Sequence, residues 1–183
     1  KAWCTDVGME VTSLAIQVYG GMGYVEESGV AQHFRDMRIA PIYEGTNGIQ
    51  AMDLVGRKLP MRMGGVVTDF LGRMRDLDAE LEAAGEQFAT IRTNLAEAID
   101  VLEGATNWIL TNGLGNPRAA LAGATPYLRV FGTVVGGWTS ARLALAAHKE
   151  LEAGSSDEEW LKGKITAARF YAEQVLPTAA GYV

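Results

Sequence analysis

The chain is poor in the residues that build small stapled or metal-bound domains: it has one cysteine, Cys4, and two histidines, His33 and His148. A single cysteine excludes an internal disulfide framework and fits a reducing, cytoplasmic compartment. With so few soft ligands no metal-binding spacing exists, so no metal is expected. An excess of positive charge is missing as well. Lysine and arginine total 16 against 22 acidic residues, a net charge of −6. Up to Pro60 there are 5 basic and 7 acidic residues, and after it 11 and 15. Neither part has the basic face that a phosphate-backbone binder needs, so nucleic acid is not an expected partner. A long charge-free apolar run is also absent. Residues 119–147 are strongly apolar, but Pro126, Arg129 and Arg142 interrupt them. A membrane span needs about 20 apolar residues with few or no charges; a buried helix of a bundle is expected instead. There is no signal peptide, internal repeat or convincing strand. The chain starts at Lys1 within a helical pattern, which reads as a piece of a longer protein.

What is present is helical periodicity and 48% apolar residues, enough for a core. Trp3, Val7, Val11, Leu14 and Val18 form one stripe, closed by Gly20-Gly21 and Gly23. Ser28 is positioned to cap a second helix carrying Val30, Phe34 and Met37, which Pro41 stops. Thr46 is positioned to cap a third, running through Ile49 and Met52 to Leu59. Beyond Pro60 and Gly64-Gly65, one stripe runs Val66, Phe70, Met74, Leu77, Leu81 and Ala84; its charge-rich end reads as an outer helix. Another runs Phe88, Ile91, Leu95, Leu102 and Ile109. Asn112-Gly113 and Gly115-Asn116-Pro117 mark a stop and a start. A long helix is predicted from Pro126 to Leu151. A last one is predicted to open on a capping box, Ser156 with Glu159, and to end at Pro177. Each helix has one apolar face it cannot bury alone. The expected fold is therefore all-α, with an antiparallel bundle of about four helices within residues 60–183. Gly132, Gly136 and Gly137 weaken the long helix, since glycine costs about 1 kcal/mol against alanine; close approach of a neighbour is the expected compensation. Trp108, Trp138 and Trp160 read as bundle core or interface, and Cys4 as packing.

Three local features point to chemistry. Glu44, in Ile42-Tyr43-Glu44-Gly45-Thr46, puts a carboxylate on a tight turn just before a helix. Gln17-Val18-Tyr19-Gly20-Gly21 ends a helix in a glycine turn whose amides can meet a phosphate. Thr46-Asn47-Gly48 opens a helix, where free amides and the positive dipole end favour an anionic or polar group. Taken singly, each has an ordinary explanation: a loop acid, a glycine helix stop and an N-cap.

Their order changes that. With Arg35-Asp36-Met37-Arg38-Ile39 between them, residues 1–59 resemble the end of the C-terminal helical domain of the acyl-CoA dehydrogenase family. The resemblance implies a FAD-dependent enzyme that dehydrogenates an acyl-CoA thioester across its α and β carbons. It makes Glu44 the base that takes the α-proton and Gly45 a substrate contact. Gln17, Val18, Tyr19, Gly20 and Gly21 match the stretch that holds FAD across a subunit interface. Thr46, Asn47 and Gly48 match a second FAD-contacting turn; many members carry serine-glutamine where this chain has Asn47-Gly48, which leaves the backbone contacts. Arg35 and Asp36 read as a structural ion pair. Electron-transfer flavoprotein as acceptor and a homodimer or homotetramer follow from the same resemblance. Residues 60–183 resemble the C-terminal extension of a larger bacterial branch, which includes enzymes acting on 3-methylmercaptopropionyl-CoA. Ala119 through Arg129, followed by Gly136-Gly137-Trp138, carries that likeness. The acyl group expected is thus a fatty acyl or 3-methylmercaptopropionyl chain, and the 183 residues alone are expected to be inactive. A different class, a non-catalytic oligomerisation or regulatory module, accounts for the bundle equally well. A DNA-associated relative within the family would carry a basic C-terminal region, which the charge balance opposes.

Overall fold

The computed structural model describes residues 1–183 and contains helices and no strand. Helix α1 (Ala2–Tyr19) is followed by a single turn, α2 (Gly21–Tyr24), and by α3 (Val30–Met37) and α4 (Asn47–Asp53). A π-helical turn, Leu54–Lys58, continues α4 towards Pro60. Then come α5 (Gly65–Arg75), α6 (Leu77–Ala83), α7 (Ala89–Asn112), α8 (Pro117–Ala122), α9 (Ala124–Glu152) and α10 (Glu158–Phe170). No helix is long and apolar enough to cross a membrane.

The bundle is antiparallel, as the cross-links between its helices demonstrate. Arg75 of α5 meets Asp100 of α7 at 2.7 Å, whereas Arg92 of α7 meets Asp78 of α6 at 2.8 Å. Numbers that rise on one helix fall on the other. Likewise Thr106 of α7 hydrogen-bonds the Tyr127 hydroxyl at 2.7 Å, and Gln87 lies 3.4 Å from His148 near the opposite end of α9. Helices α9 and α10 pack together across the short connection 153–157, which also makes them antiparallel. One core links Phe88, just before α7, and Ile91, Leu95, Ile99 and Leu102 of α7 to Val130, Val134 and Ala141 of α9. It extends back to Ala51 and Val55, so α4 and its π turn are seated on the bundle.

Several local expectations are met, because local chemistry decides them. The Thr46 hydroxyl accepts from the Ile49 amide, and the Asn116 side chain from the Ala119 amide, each capping a helix. Others are corrected. On α5 the stripe's Met74 is buried and Phe70 packs against the core as expected, but Val66 is exposed, and its neighbour Val67 and Leu71 are buried as well. The charge-rich helix α6 is not simply an outer one: Leu77 and Leu81 are buried while its acids face water. Ser156 caps nothing, because α10 starts at Glu158 with Asp157 as N-cap, one step too late for the box. Gly29 rather than Ser28 is the N-cap of α3, though the Ser28 hydroxyl lies 3.4 Å from the Val30 amide. Pro177 does not end the last helical run. It sits in the first turn of a 3-10 segment, Leu176–Tyr182, where a missing N–H costs nothing. Cys4 is exposed, and so are half or more of Trp108 and Trp160. Arg35 and Asp36 do not pair: Arg35 meets Glu26 at 3.4 Å and Asp36 accepts from Gln32 at 2.6 Å. Consecutive helical residues point about 100° apart, so neighbours in sequence cannot face each other.

The stripe on α1 is helical as expected; Trp3 and Val7 are partly buried, but the rest of it is exposed. Val11, Leu14 and Val18 are 57%, 62% and 84% exposed. Ala2 is the buried residue of this helix.

Candidate functional site

The Glu44 turn lies between α3 and α4. The Asn47 amide closes it by donating to the Pro41 carbonyl at 3.1 Å. Within it Glu44 has φ of 54° and Gly45 φ of 80°, both left-handed. Glycine adopts that conformation freely, but for a glutamate it costs roughly 1–2 kcal/mol. The turn holds it by engaging both carbonyls. The Gln50 side-chain amide donates to the Glu44 carbonyl at 2.9 Å, and the Lys1 ammonium to the Gly45 carbonyl at 2.9 Å. The Glu44 side chain is exposed, and the amides of Glu44, Gly45 and Thr46 donate to no protein acceptor. One carboxylate and three amides are therefore available at a single strained turn, an arrangement suited to a proton acceptor beside a group that gains negative charge.

Asn47 faces the other way. Its side-chain amide donates to the Asp6 carboxylate at 2.7 Å, the Thr5 hydroxyl at 2.9 Å and the Ala2 carbonyl at 3.1 Å. Its oxygen accepts from Lys1 at 2.8 Å. That side chain ties the turn to the first turns of α1. The backbone of Thr46-Asn47-Gly48 remains at a helix start, as the sequence indicates.

Gln17, Val18, Tyr19, Gly20 and Gly21 sit at the far end of α1, all exposed. From Thr5 to Gly20 a helix rises about 22 Å. The structure thus does not bring the two glycine-containing stretches together: they mark opposite ends of one helix. Gly20 has φ of 59° and ends α1. Gly21 and Gly48 are different. Neither has a positive φ, and a Cβ on either would meet no atom within 4 Å. Nothing inside this chain requires glycine at these two positions, whereas a ligand lying close against the backbone would.

Lys1, Asp6 and Gln50 escaped the sequence reading. Lone polar residues on helix faces carry no short-range signal, and their partners lie 6 to 46 positions away. Trp3 was legible as the first member of the α1 stripe, but its partner was not. A Cβ on Gly132 of α9 would collide with the Trp3 side chain, 2.6 Å from its own Cβ, and one on Gly136 would lie 3.1 Å from the far edge of the indole. The glycines of α9 do announce a close approach, as expected, but not from which helix.

Residues 1–59 match the family model for the acyl-CoA dehydrogenase C-terminal domain, and residues 70–183 the model described as acetyl-CoA dehydrogenase C-terminal like. The chain is 42% identical to the 3-methylmercaptopropionyl-CoA dehydrogenase of Ruegeria pomeroyi, over 96% of this chain and 30% of that protein. It is 32% identical to a butyryl-CoA dehydrogenase of Syntrophomonas wolfei, over 99% of the chain and 30% of the relative. To the broad-specificity linear acyl-CoA dehydrogenase FadE5 of Mycobacterium tuberculosis it is 28% identical, over 89% and 28%. The chain spans about 30% of the length of the first two relatives. An all-α architecture, both family matches and identity along nearly the whole chain lead to one conclusion: the chain belongs to the acyl-CoA dehydrogenase family, of which it forms a C-terminal part.

Proposed function

We propose that the protein containing this segment catalyses FAD-dependent α,β-dehydrogenation of an acyl-CoA thioester, with Glu44 as the base. The observation that carries the proposal is the strained Glu44 turn, whose carbonyls are held while its carboxylate and amides stay free. Glu44 takes the α-proton onto its carboxylate. An acyl chain lying over the turn excludes water and strengthens that carboxylate as a base. The Glu44 amide donates to the thioester oxygen as negative charge develops there. Gly45 leaves room for the thioester.

FAD, when bound, supplies the acceptor for the hydride that leaves the β-carbon. The residues present suit it. Gly21 and Gly48 allow a close backbone approach, Gln17 offers an exposed amide, and Thr46-Asn47-Gly48 offers a helix start. The separation of the two stretches along α1 fits contacts to distant parts of a long cofactor, or to cofactors of two subunits. A homodimer or homotetramer, electron-transfer flavoprotein as acceptor and a cytoplasmic location belong to the same reading. Residues 1–59 are read as the end of the catalytic helical domain and residues 60–183 as an extension. The acyl group is read as a fatty acyl or 3-methylmercaptopropionyl chain; the latter rests on the relative from Ruegeria pomeroyi. Flavin bleaching of the full-length protein by straight, branched and sulfur-containing acyl-CoAs decides between them.

Replacing Glu44 by Gln in the full-length protein tests the role of the base: FAD and acyl-CoA binding persist and turnover is lost. A fully active Glu44→Gln enzyme refutes it. The isolated 183 residues are expected to bind no flavin and show no turnover.

A second reading, an assembly module, is favoured by one feature: the exposed apolar face Val11, Leu14 and Val18. Light scattering on the isolated chain tests it, a dimer supporting it and a monomer counting against it.

A further inference from the structure

We propose that the C-terminal bundle positions the Glu44 turn through Trp3 and Asn47, acting on the base from a distance rather than only adding stability. The proposal rests on Glu44 being the base.

The connection can be followed atom by atom. Helix α9 carries Gly132 and Gly136 side by side on one face. Trp3 fills the space at Gly132, so closely that any side chain there would displace the indole, and its far edge shares the space at Gly136 with the Tyr171 hydroxyl. Trp3 lies in the first turn of α1. The same end of α1 presents Lys1, Ala2, Thr5 and Asp6 to the turn. Asn47 donates to three of these and accepts from the fourth, and Lys1 also holds the Gly45 carbonyl. The first turns of α1 therefore form a bracket, with an aromatic wedge in the bundle on one side and a polar clamp on the catalytic turn on the other. Helix α4, which begins at Asn47, is seated on the same bundle through Ala51, 1% exposed, and Val55. Both flanks of the turn are thus referenced to α9.

The reason such a bracket matters is the geometry of Glu44. A non-glycine residue at φ of 54° persists only where its surroundings enforce it. A base displaced by about 1 Å can lose on the order of 100-fold in rate. Gly132 sets the place of Trp3, the first turn of α1 joins Trp3 to Lys1, and Lys1 and Asn47 hold the turn. They are positioning residues, not catalytic ones.

Gly132→Ala in the full-length enzyme is the test. Alanine favours the helix itself, so α9 keeps its fold while its new methyl group moves Trp3. The expected result is a fall in kcat of roughly 10- to 100-fold at saturating acyl-CoA and FAD. KM and flavin content stay near their original values, the melting temperature falls by the overpacking cost of displacing Trp3, and the isotope effect with α-deuterated acyl-CoA rises. Asn47→Ala, at the other end of the bracket, gives the same pattern, and Trp3→Phe retains more of the rate than Trp3→Ala. Gly163→Ala on α10, where a Cβ meets nothing within 4 Å, leaves kcat unchanged. An unchanged kcat in Gly132→Ala, or a loss confined to flavin content or melting temperature, overturns the proposal. Activity in Glu44→Gln sinks the assignment of the base itself, an outcome separate from these.

Discussion

Glu44 is held in a conformation that a glutamate disfavours, and the surrounding hydrogen bonds explain how. Removing the side chain should therefore relieve the backbone. Glu44→Gly is predicted to stabilise the 183-residue chain by about 1 kcal/mol, read from urea unfolding, while abolishing turnover in the full-length protein. Gly48 supplies the complementary case. It lies in the first turn of α4 with open space around it. Gly48→Ala should raise stability slightly, by up to about 1 kcal/mol, and weaken FAD binding measured by flavin titration. Unchanged flavin affinity would show that the glycine serves no ligand. At this scale the sequence made the turn legible, because glycine, threonine and an isolated carboxylate each have a strong local meaning. It did not make the Asn47 clamp legible: Lys1, Thr5 and Asp6 reach that side chain only after folding brings together residues 41 to 46 positions apart.

At the scale of elements, apolar periodicity located the helices, and tertiary packing chose which neighbouring position faces inward. The stripe from Phe88 to Ile109 was readable because every member is buried, and all but Phe88, in the turn just before, lie in one long helix. The first inward position of α5 was not, since Val66 and Val67 are chemically equivalent and only their partners distinguish them. The α1 stripe was correct as a pattern, yet beyond Trp3 and Val7 it stays exposed. Leu102 lies fully buried at the centre of the bundle. Leu102→Ala is predicted to cost about 2–5 kcal/mol in chemical denaturation. Gly137 is packed against Leu176, and a Cβ there would lie 2.5 Å from a Leu176 methyl carbon. Gly137→Ala should thus destabilise by about 1–3 kcal/mol through overpacking, despite improving helix propensity.

For the whole molecule, the bundle and α4, the helix that follows the Glu44 turn, share one core, which runs from Ala51 to Ala179. Its buried Tyr127 links α7 to α9 through Thr106, and burial pushes the Tyr127 hydroxyl up to about 12 from an ordinary 10.0. A raised folded-state value means that the stability it contributes is present below pH 10 and is lost as pH rises towards 12. Unfolding midpoints should accordingly fall over that window, and less steeply in Tyr127→Phe. The same core supports α4 beside the Glu44 turn, and the functional account turns on the proposal that Glu44 is the base. Rapid-mixing flavin bleaching by acyl-CoA in the full-length protein, comparing the original enzyme with Glu44→Gln, tests that claim most directly. The account predicts that Glu44→Gln binds FAD and acyl-CoA yet leaves the flavin unbleached within a turnover time. Bleaching at the original rate would contradict it.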